Sequence, residues 1–135
     1  MSESIFSKII RREIPAVFVY EDDVCVVLMD KFPGAVGQTL VIPKKEVDYI
    51  FDLDETTYNH LFMVAKEIAK ASDKAFQPER TCLVVEGFEV PHTHIKVYPV
   101  TNGGEGLRPF LKNGKMADDL ELAKLAEQIK ANLAL

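Results

Sequence analysis

The segment Val24–Met29 is apolar at every position. In an extended chain successive side chains point to opposite faces. Val24, Val26 and Leu28 therefore share a face with Asp30, while Cys25, Val27 and Met29 share the other. A run apolar on both faces until Asp30 predicts a central strand covered on both sides. Its flanks supply neighbours. Ala16–Tyr20 reads as a strand joined to it through the polar turn Glu21-Asp22-Asp23. Lys31-Phe32-Pro33-Gly34 reads as a turn, and Gln38–Pro43 as a third strand ended by its proline.

Helical periodicity takes over elsewhere. Ser4 is placed to cap a short helix over Ile5–Arg12, with Pro15 soon after. Asp52-x-x-Glu55 resembles a capping box and predicts a helix opening near residue 53 or 54. Tyr58, Leu61, Phe62, Ala65, Ile68, Ala69 and Ser72 then recur at helical spacing to about residue 75. His60 lies off this stripe and reads as a solvated surface residue. Thr81–Glu86 and His92–Tyr98 read as fourth and fifth strands, followed by the glycine-bearing loop Thr101–Gly106. Asp118–Leu133 closes the chain as an amphipathic helix with Leu122, Leu125, Ala126, Ile129 and Leu133 on one face. Strands grouped on either side of one long helix predict an α+β fold with a mainly antiparallel five-stranded sheet. At 135 residues the chain is expected to form one domain, 1–135.

Charge and apolar runs bound the partners. The net charge is -5, so the chain lacks the basic footprint of a general nucleic-acid binder, and any phosphate site has to be local. Val24–Met29 is far shorter than the ~20 residues of a membrane-spanning helix, so no membrane partner is expected. The first fifteen residues carry charges where a signal peptide needs its apolar stretch, which predicts a cytoplasmic protein. Cys25 and Cys82 sit in apolar runs and read as buried thiols of a reducing compartment, with a disulfide between them left open. Neither belongs to a CxxC pair.

Val-Pro-His-Thr-His-Ile-Lys-Val-Tyr-Pro carries the chemistry. Alternation places His92, His94 and Lys96 on one face, neighbours about 6.6 Å apart. Thr93, Ile95 and Val97 then face a core. Two imidazoles and an ammonium on a rigid strand suit phosphate oxygens, and a neutral imidazole is a nucleophile towards phosphorus. The same pattern fits a structural pair of rings, two metal ligands or a solvent-facing stripe. Lys96 argues against a metal, because a fixed cation beside the site repels one.

His-Thr-His-Ile-Lys-Val-Tyr-Pro resembles the signature of the histidine triad (HIT) family. Further segments follow that family's pattern in order: Ile-Phe-Ser-Lys-Ile-Ile-Arg-Arg-Glu-Ile-Pro at 5–15, Val-Tyr-Glu-Asp-Asp at 19–23, Leu-Met-Asp-Lys-Phe-Pro-Gly-Ala at 28–35 and Gly-Gln-Thr-Leu-Val-Ile-Pro-Lys-Lys at 37–45. The resemblance covers about residues 4–99 and leaves a C-terminal helical extension at about 112–135. It implies a five-stranded antiparallel sheet with a long helix and pairing into a homodimer with a continuous ten-stranded sheet. It also implies binding of a purine nucleotide or nucleotide conjugate. The chemistry implied is hydrolysis or transfer at the α-phosphorus of nucleoside phosphoramidates, dinucleoside polyphosphates or related adenylates. No cofactor is implied.

Residue by residue, the resemblance makes His94 the nucleophile, carrying a nucleotidyl-imidazole intermediate, and His92 the first triad residue, which orients it. Asp30 matches the acceptor for the ribose hydroxyls. Ile5, Phe6, Ile9, Ile14, Met29 and Val90 match the nucleotide-pocket wall. Lys96 stands where the third histidine belongs. It can hold phosphate oxygens, but it cannot trade protons near neutral pH unless its pKa is strongly lowered. Binding is therefore expected to survive with turnover reduced or altered. Ser4 and Ser7 occupy the spacing where zinc-binding members carry CxxC, and Glu46 the place of their histidine ligand, so no metal is expected there. Glu89 stands near the usual hydroxyl donor to phosphate and Val85 near a position often held by Asn, which leaves the leaving-group subsite undefined. A non-catalytic nucleotide sensor and a dimeric interaction module docking through the last helix are the competing readings.

Overall fold

The structure is a computed structural model describing residues 3–135. Helix α1 (Ile5–Ile10) leads into strands β1 (Phe18–Glu21), β2 (Cys25–Met29) and β3 (Thr39–Pro43). Helix α2 (Glu55–Phe76), strands β4 (Arg80–Val84) and β5 (Ile95–Val100) and helix α3 (Asp119–Ala131) follow, with single 3-10 turns at Ile50–Asp52 and Arg108–Phe110. The strands form one antiparallel sheet in the order β1-β2-β3-β5-β4. This is the α+β fold expected.

Alternation along β2 divides the molecule. Cys25, Val27 and Met29 join Val41, Ile95 and Val97 on the face that packs against α2 and α3. Val26 and Leu28 join Leu40 and Ile42 on the opposite face, against Phe6 and Ile9 of α1. Helix α1 has only six residues. It cannot cover that whole face, and the uncovered part becomes a cleft. The stripe of α3 (Leu122, Leu125, Ala126, Ile129) is buried in the chain's own helix-side core, which removes the reason to read that helix as a docking element.

Several boundaries differ from expectation. The cap of α2 is Asp54, whose side chain accepts the Thr57 N–H at 3.1 Å, while Asp52 lies in the preceding 3-10 turn. Strand β4 ends at Val84 rather than Glu86. Strand β5 begins at Ile95, so His92 and His94 lie on its approach rather than within it. The reason lies in β3, which pairs with β5 through Val41↔Ile95 and ends at Pro43. Proline has no N–H to extend the ladder, and the Thr93 N–H bonds instead to the Val47 carbonyl at 2.7 Å. Both cysteines are free, Cys25 in the helix-side core and Cys82 on β4, so the disulfide left open by the sequence does not form. His60 is not a freely solvated residue: its Nε2 lies 2.6 Å from Asp22 Oδ2.

Candidate active site

Sheet register fixes the floor of the cleft. Leu28 of β2 stands opposite Leu40 of β3, and Leu40 opposite Lys96 of β5. The row is apolar until it reaches one ammonium. Asp30 follows β2 by one residue beyond Met29, with its N–H on the Gln38 carbonyl at 3.0 Å. The cleft has a volume of about 560 Å³, within the range of small-ligand sites.

Asp30 is held by the turn it begins. Its Oδ1 accepts the Phe32 N–H at 2.8 Å and its Oδ2 accepts Gln38 Nε2 at 2.8 Å. Gln38 is fixed in turn, because its Oε1 accepts the N–H groups of Gly34 and Ala35 at 2.7 and 3.2 Å. The turn closes through Gly37 at φ +86°, where a Cβ would also collide with the Phe76 ring. A carboxylate offers about four lone-pair sites, so two remain for a ligand. Burial pushes the Asp30 carboxyl up, opposed chiefly by the Phe32 N–H and then by the charge of Lys96.

His94 is buried, and its Nδ1 lies 2.8 Å from the His92 carbonyl. A carbonyl only accepts, so Nδ1 carries the proton and Nε2 holds the lone pair. Among the described residues Nε2 has no hydrogen-bond partner. Burial holds the His94 pKa below the ordinary histidine value; the bond to the His92 carbonyl opposes this, and Lys96 reinforces it. The Phe6 ring meets the imidazole edge-on at 5.0 Å between centroids. Neutral His94 thus presents an unprotonated, unbonded nitrogen at the cleft.

His92 occupies a different environment. It is fully buried, with Nε2 2.8 Å from the Pro43 carbonyl and Nδ1 2.6 Å from Ser4 Oγ. Both ring nitrogens are used by the protein, and its side chain is not part of the cleft lining. Its contribution to His94 runs through its carbonyl. Ser4, Ser7, Glu46 and His92 form one network: Glu46 Oε1 accepts the Ser4 N–H and the Ser7 hydroxyl, each at 2.7 Å. These bonds, the Ser4 N–H first, hold the Glu46 carboxyl below its usual range. At the place where the family resemblance puts zinc donors, hydrogen bonds tie α1 to the approach of β5.

The other sequence-derived positions converge on the cleft. Ile5, Phe6 and Ile9 line it from α1, Ile14 from the segment after it, and Val90 from the approach to β5. Met29 reaches its rim, although its side chain packs in the helix-side core. Leu28 and Leu40 form the actual floor and were missed, although the alternation that grouped Leu28 with Asp30 was the signal for it. Asn113, Asp119 and Leu122 also line the cleft, brought there by a C-terminal segment that doubles back. Lys31 Nζ anchors that segment on the Ala117 carbonyl at 2.8 Å and on Asp119 Oδ1 at 2.5 Å. Glu89 lines the cleft with its carboxylate on Asn113 Nδ2 at 3.2 Å, and Lys96 Nζ lies 3.5 Å from Glu86 Oε1.

Comparison with known proteins gives a consistent result. The HIT domain family model matches residues 11–103. A HIT-like protein of Synechocystis, itself uncharacterized, is 39% identical over 111 residues, which cover 80% of this chain and 93% of that one. The crystal structure of a HIT-like protein involved in cell-cycle regulation from Bartonella henselae superimposes with a TM-score of 0.86 at 35% identity, covering 97% and 96% of the two chains. A hypothetical histidine triad nucleotide-binding protein from Sulfolobus tokodaii follows at a TM-score of 0.82 and 28% identity, covering 94% and 89%.

Proposed function

The chain belongs to the HIT domain family, and from that premise we propose that it binds a nucleoside phosphate and transfers or hydrolyses its nucleotidyl group through His94. One observation carries this reading: a buried neutral imidazole whose Nδ1 is tied to a carbonyl, with its other nitrogen unbonded, in the same cleft as a half-satisfied carboxylate. Asp30 receives the ribose hydroxyls, and Phe6, Ile9, Leu28 and Leu40 enclose the purine. Lys96 holds the phosphate oxygens.

With a nucleoside phosphoramidate, His94 Nε2 bonds to the α-phosphorus as the phosphorus–nitrogen bond to the leaving amine breaks, and the amine departs with a proton from solvent. The ring then carries positive charge, which the His92 carbonyl stabilises through Nδ1–H. Water attacks the phosphorus and gives a proton to solvent, the Nε2–phosphorus bond breaks with its electron pair returning to Nε2, and the nucleotide leaves with neutral His94 restored. Dinucleoside polyphosphates and adenylates react at the same atom with a different leaving group.

Strand β4 leaves its outer edge unpaired and exposes Leu83 at 41%. Pairing of two such edges gives the homodimer with a continuous sheet. The free thiols suit a cytoplasmic setting. The second reading, a nucleotide sensor with little turnover, is favoured by Lys96, a poor proton shuttle at the third triad position. Incubation with adenosine phosphoramidate followed by mass mapping separates the two. A nucleotidyl adduct on His94, lost in His94→Asn, is expected. Tight AMP binding with no adduct and no hydrolysis would leave the sensor.

A further inference from the structure

Three side chains that the nucleotide cleft does not use meet where the β1–β2 turn touches the second turn of α2. We propose that Asp22, Cys25 and His60 bind a divalent ion of the zinc class, with water completing the coordination. One donor atom from each lies within 4.8 Å of the others. A thiolate, an imidazole and a carboxylate oxygen make a donor set suited to zinc. Zinc bonds of ~2.0–2.3 Å at tetrahedral angles place donors roughly 3.3–3.7 Å apart. The present separations, from 2.6 Å for His60 Nε2–Asp22 Oδ2 to at most 4.8 Å, bracket that range. Shifts of about an ångström satisfy it.

The local structure divides the labour of Asp22. Its Oδ1 caps the turn by accepting the N–H groups of Val24 and Cys25 at 2.8 and 2.9 Å. Its Oδ2 is left to Tyr20 OH at 2.9 Å and to His60. Turn-capping therefore explains one oxygen and not the other. Cys25 presents its thiol from the first position of β2, in the rigid core. His60 is 27% exposed and Asp22 21%, so an ion and its water have access from that side. Lys44, whose N–H bonds the Val24 carbonyl of this turn at 2.8 Å, has its ammonium paired with Glu21 at 3.0 Å. On binding, the Cys25 Sγ–H proton passes to solvent as the sulfur–metal bond forms; His60 gives up the Nε2 proton it shares with Asp22 and carries its ring proton on Nδ1, so that Nε2 and the Asp22 carboxylate face the ion in place of each other. Cys25 lies on the helix side of the sheet, opposite the cleft. The ion would clamp the β1–β2 turn to α2 and take no part in nucleotide chemistry.

The whole chain, stripped with a chelator, is titrated with cobalt(II). One cobalt per chain with a thiolate-to-cobalt charge-transfer band, displaced by one equivalent of zinc, is expected. Cys82→Ser keeps the band, and Cys25→Ser removes it. His60→Ala, which alters a partly exposed helix residue, weakens cobalt binding by more than about tenfold. No cobalt retained, cobalt bound without a thiolate band, a band lost with Cys82, or affinity unchanged in His60→Ala would each overturn the site. Nucleotide binding is measured on the same samples, so failure here is distinct from failure of the cleft.

Discussion

Replacing Asp30 with asparagine probes the ribose grip directly. In the wild-type protein each carboxylate oxygen already accepts one protein hydrogen bond and keeps capacity for one more. A hydrogen bond to a charged group is worth about 1.5–3 kcal/mol. AMP lacking its 2′-hydroxyl should therefore bind roughly thirtyfold more weakly than AMP, about 2 kcal/mol. In Asp30→Asn the acceptor is neutral, its bond falls to about 1 kcal/mol, and discrimination drops to roughly fivefold. The variant also carries a structural cost. Whichever way the amide is turned, its NH₂ faces either the Phe32 N–H or Gln38 Nε2. Gln38 cannot rotate to help, because its Oε1 is occupied by Gly34 and Ala35. One partly buried donor is left unpaired, at about 1 kcal/mol of stability. Removing a charge that burial already disfavours returns part of that. Calorimetric titration of both proteins with AMP and 2′-deoxy-AMP isolates the ribose contact, because the structural cost is common to both ligands. Equal binding of the two nucleotides by the wild-type protein, or undiminished discrimination by Asp30→Asn, would refute the assignment.

Four further outcomes follow from the same geometry. Lys96→His restores a group able to trade protons near neutral pH and should raise phosphoramidate turnover by about a hundredfold or more, with AMP affinity changed little; equal turnover numbers would show that the third position does not limit the reaction. Burial holds the His94 pKa below its ordinary value with help from Lys96, so kcat/KM should be flat above pH 6.5 and fall on the acid side, and Lys96→Met should move that acid limb upward in a pH–rate profile. His92 is likewise held down by burial. Both rings bind protons more readily unfolded than folded, so stability should be constant above pH 6.5 and decline as pH falls towards the folded values, by up to about 1.4 kcal/mol per pH unit for each ring in denaturant titrations. Leu83→Lys, on the open edge of β4, should convert a dimer to monomers by light scattering without altering the monomer's fold.

The parts of this fold visible in the sequence are those set by local pattern. The α2 stripe, the Ser4 cap and the doubly buried β2 depend on neighbours a few residues apart. The start of β5 was invisible because it depends on where β3 runs out of N–H donors, at Pro43, on the far side of α2 and β4 in the chain. Alternation still placed His94 and Lys96 in one cleft, since parity survives the loss of the ladder. The contact between Asp22 and His60 spans 38 residues, and no periodicity in α2 marks it. The cleft wall from 113–122 was hidden for a similar reason: only the folded chain shows that Lys31 pulls this segment back over the turn that carries Asp30. Family resemblance named Met29 for the wall, whereas strand parity pointed to Leu28, and the physical signal was the better guide to the floor.

His92 and His94 look equivalent as letters, yet the fold gives them opposite tasks. Ser4 and Pro43 consume both nitrogens of His92, so no proton reaches a ligand from that ring. Its carbonyl fixes the tautomer of His94 and leaves a single imidazole nitrogen unbonded at the cleft. Burial, reinforced by the charge of Lys96, keeps that ring neutral, and an ammonium committed to phosphate oxygens does not replace the proton transfers of a third histidine. Of the two carboxylates beside Lys96, Glu89 is turned to Asn113 and Glu86 to the Lys96 ammonium. Proton delivery to a leaving group must then come from water or from the leaving group itself. An amine, which is basic enough to collect a proton from water as it departs, meets that condition more easily than a second phosphate does, and on this ground we propose phosphoramidates ahead of dinucleoside polyphosphates as substrates of the cleft.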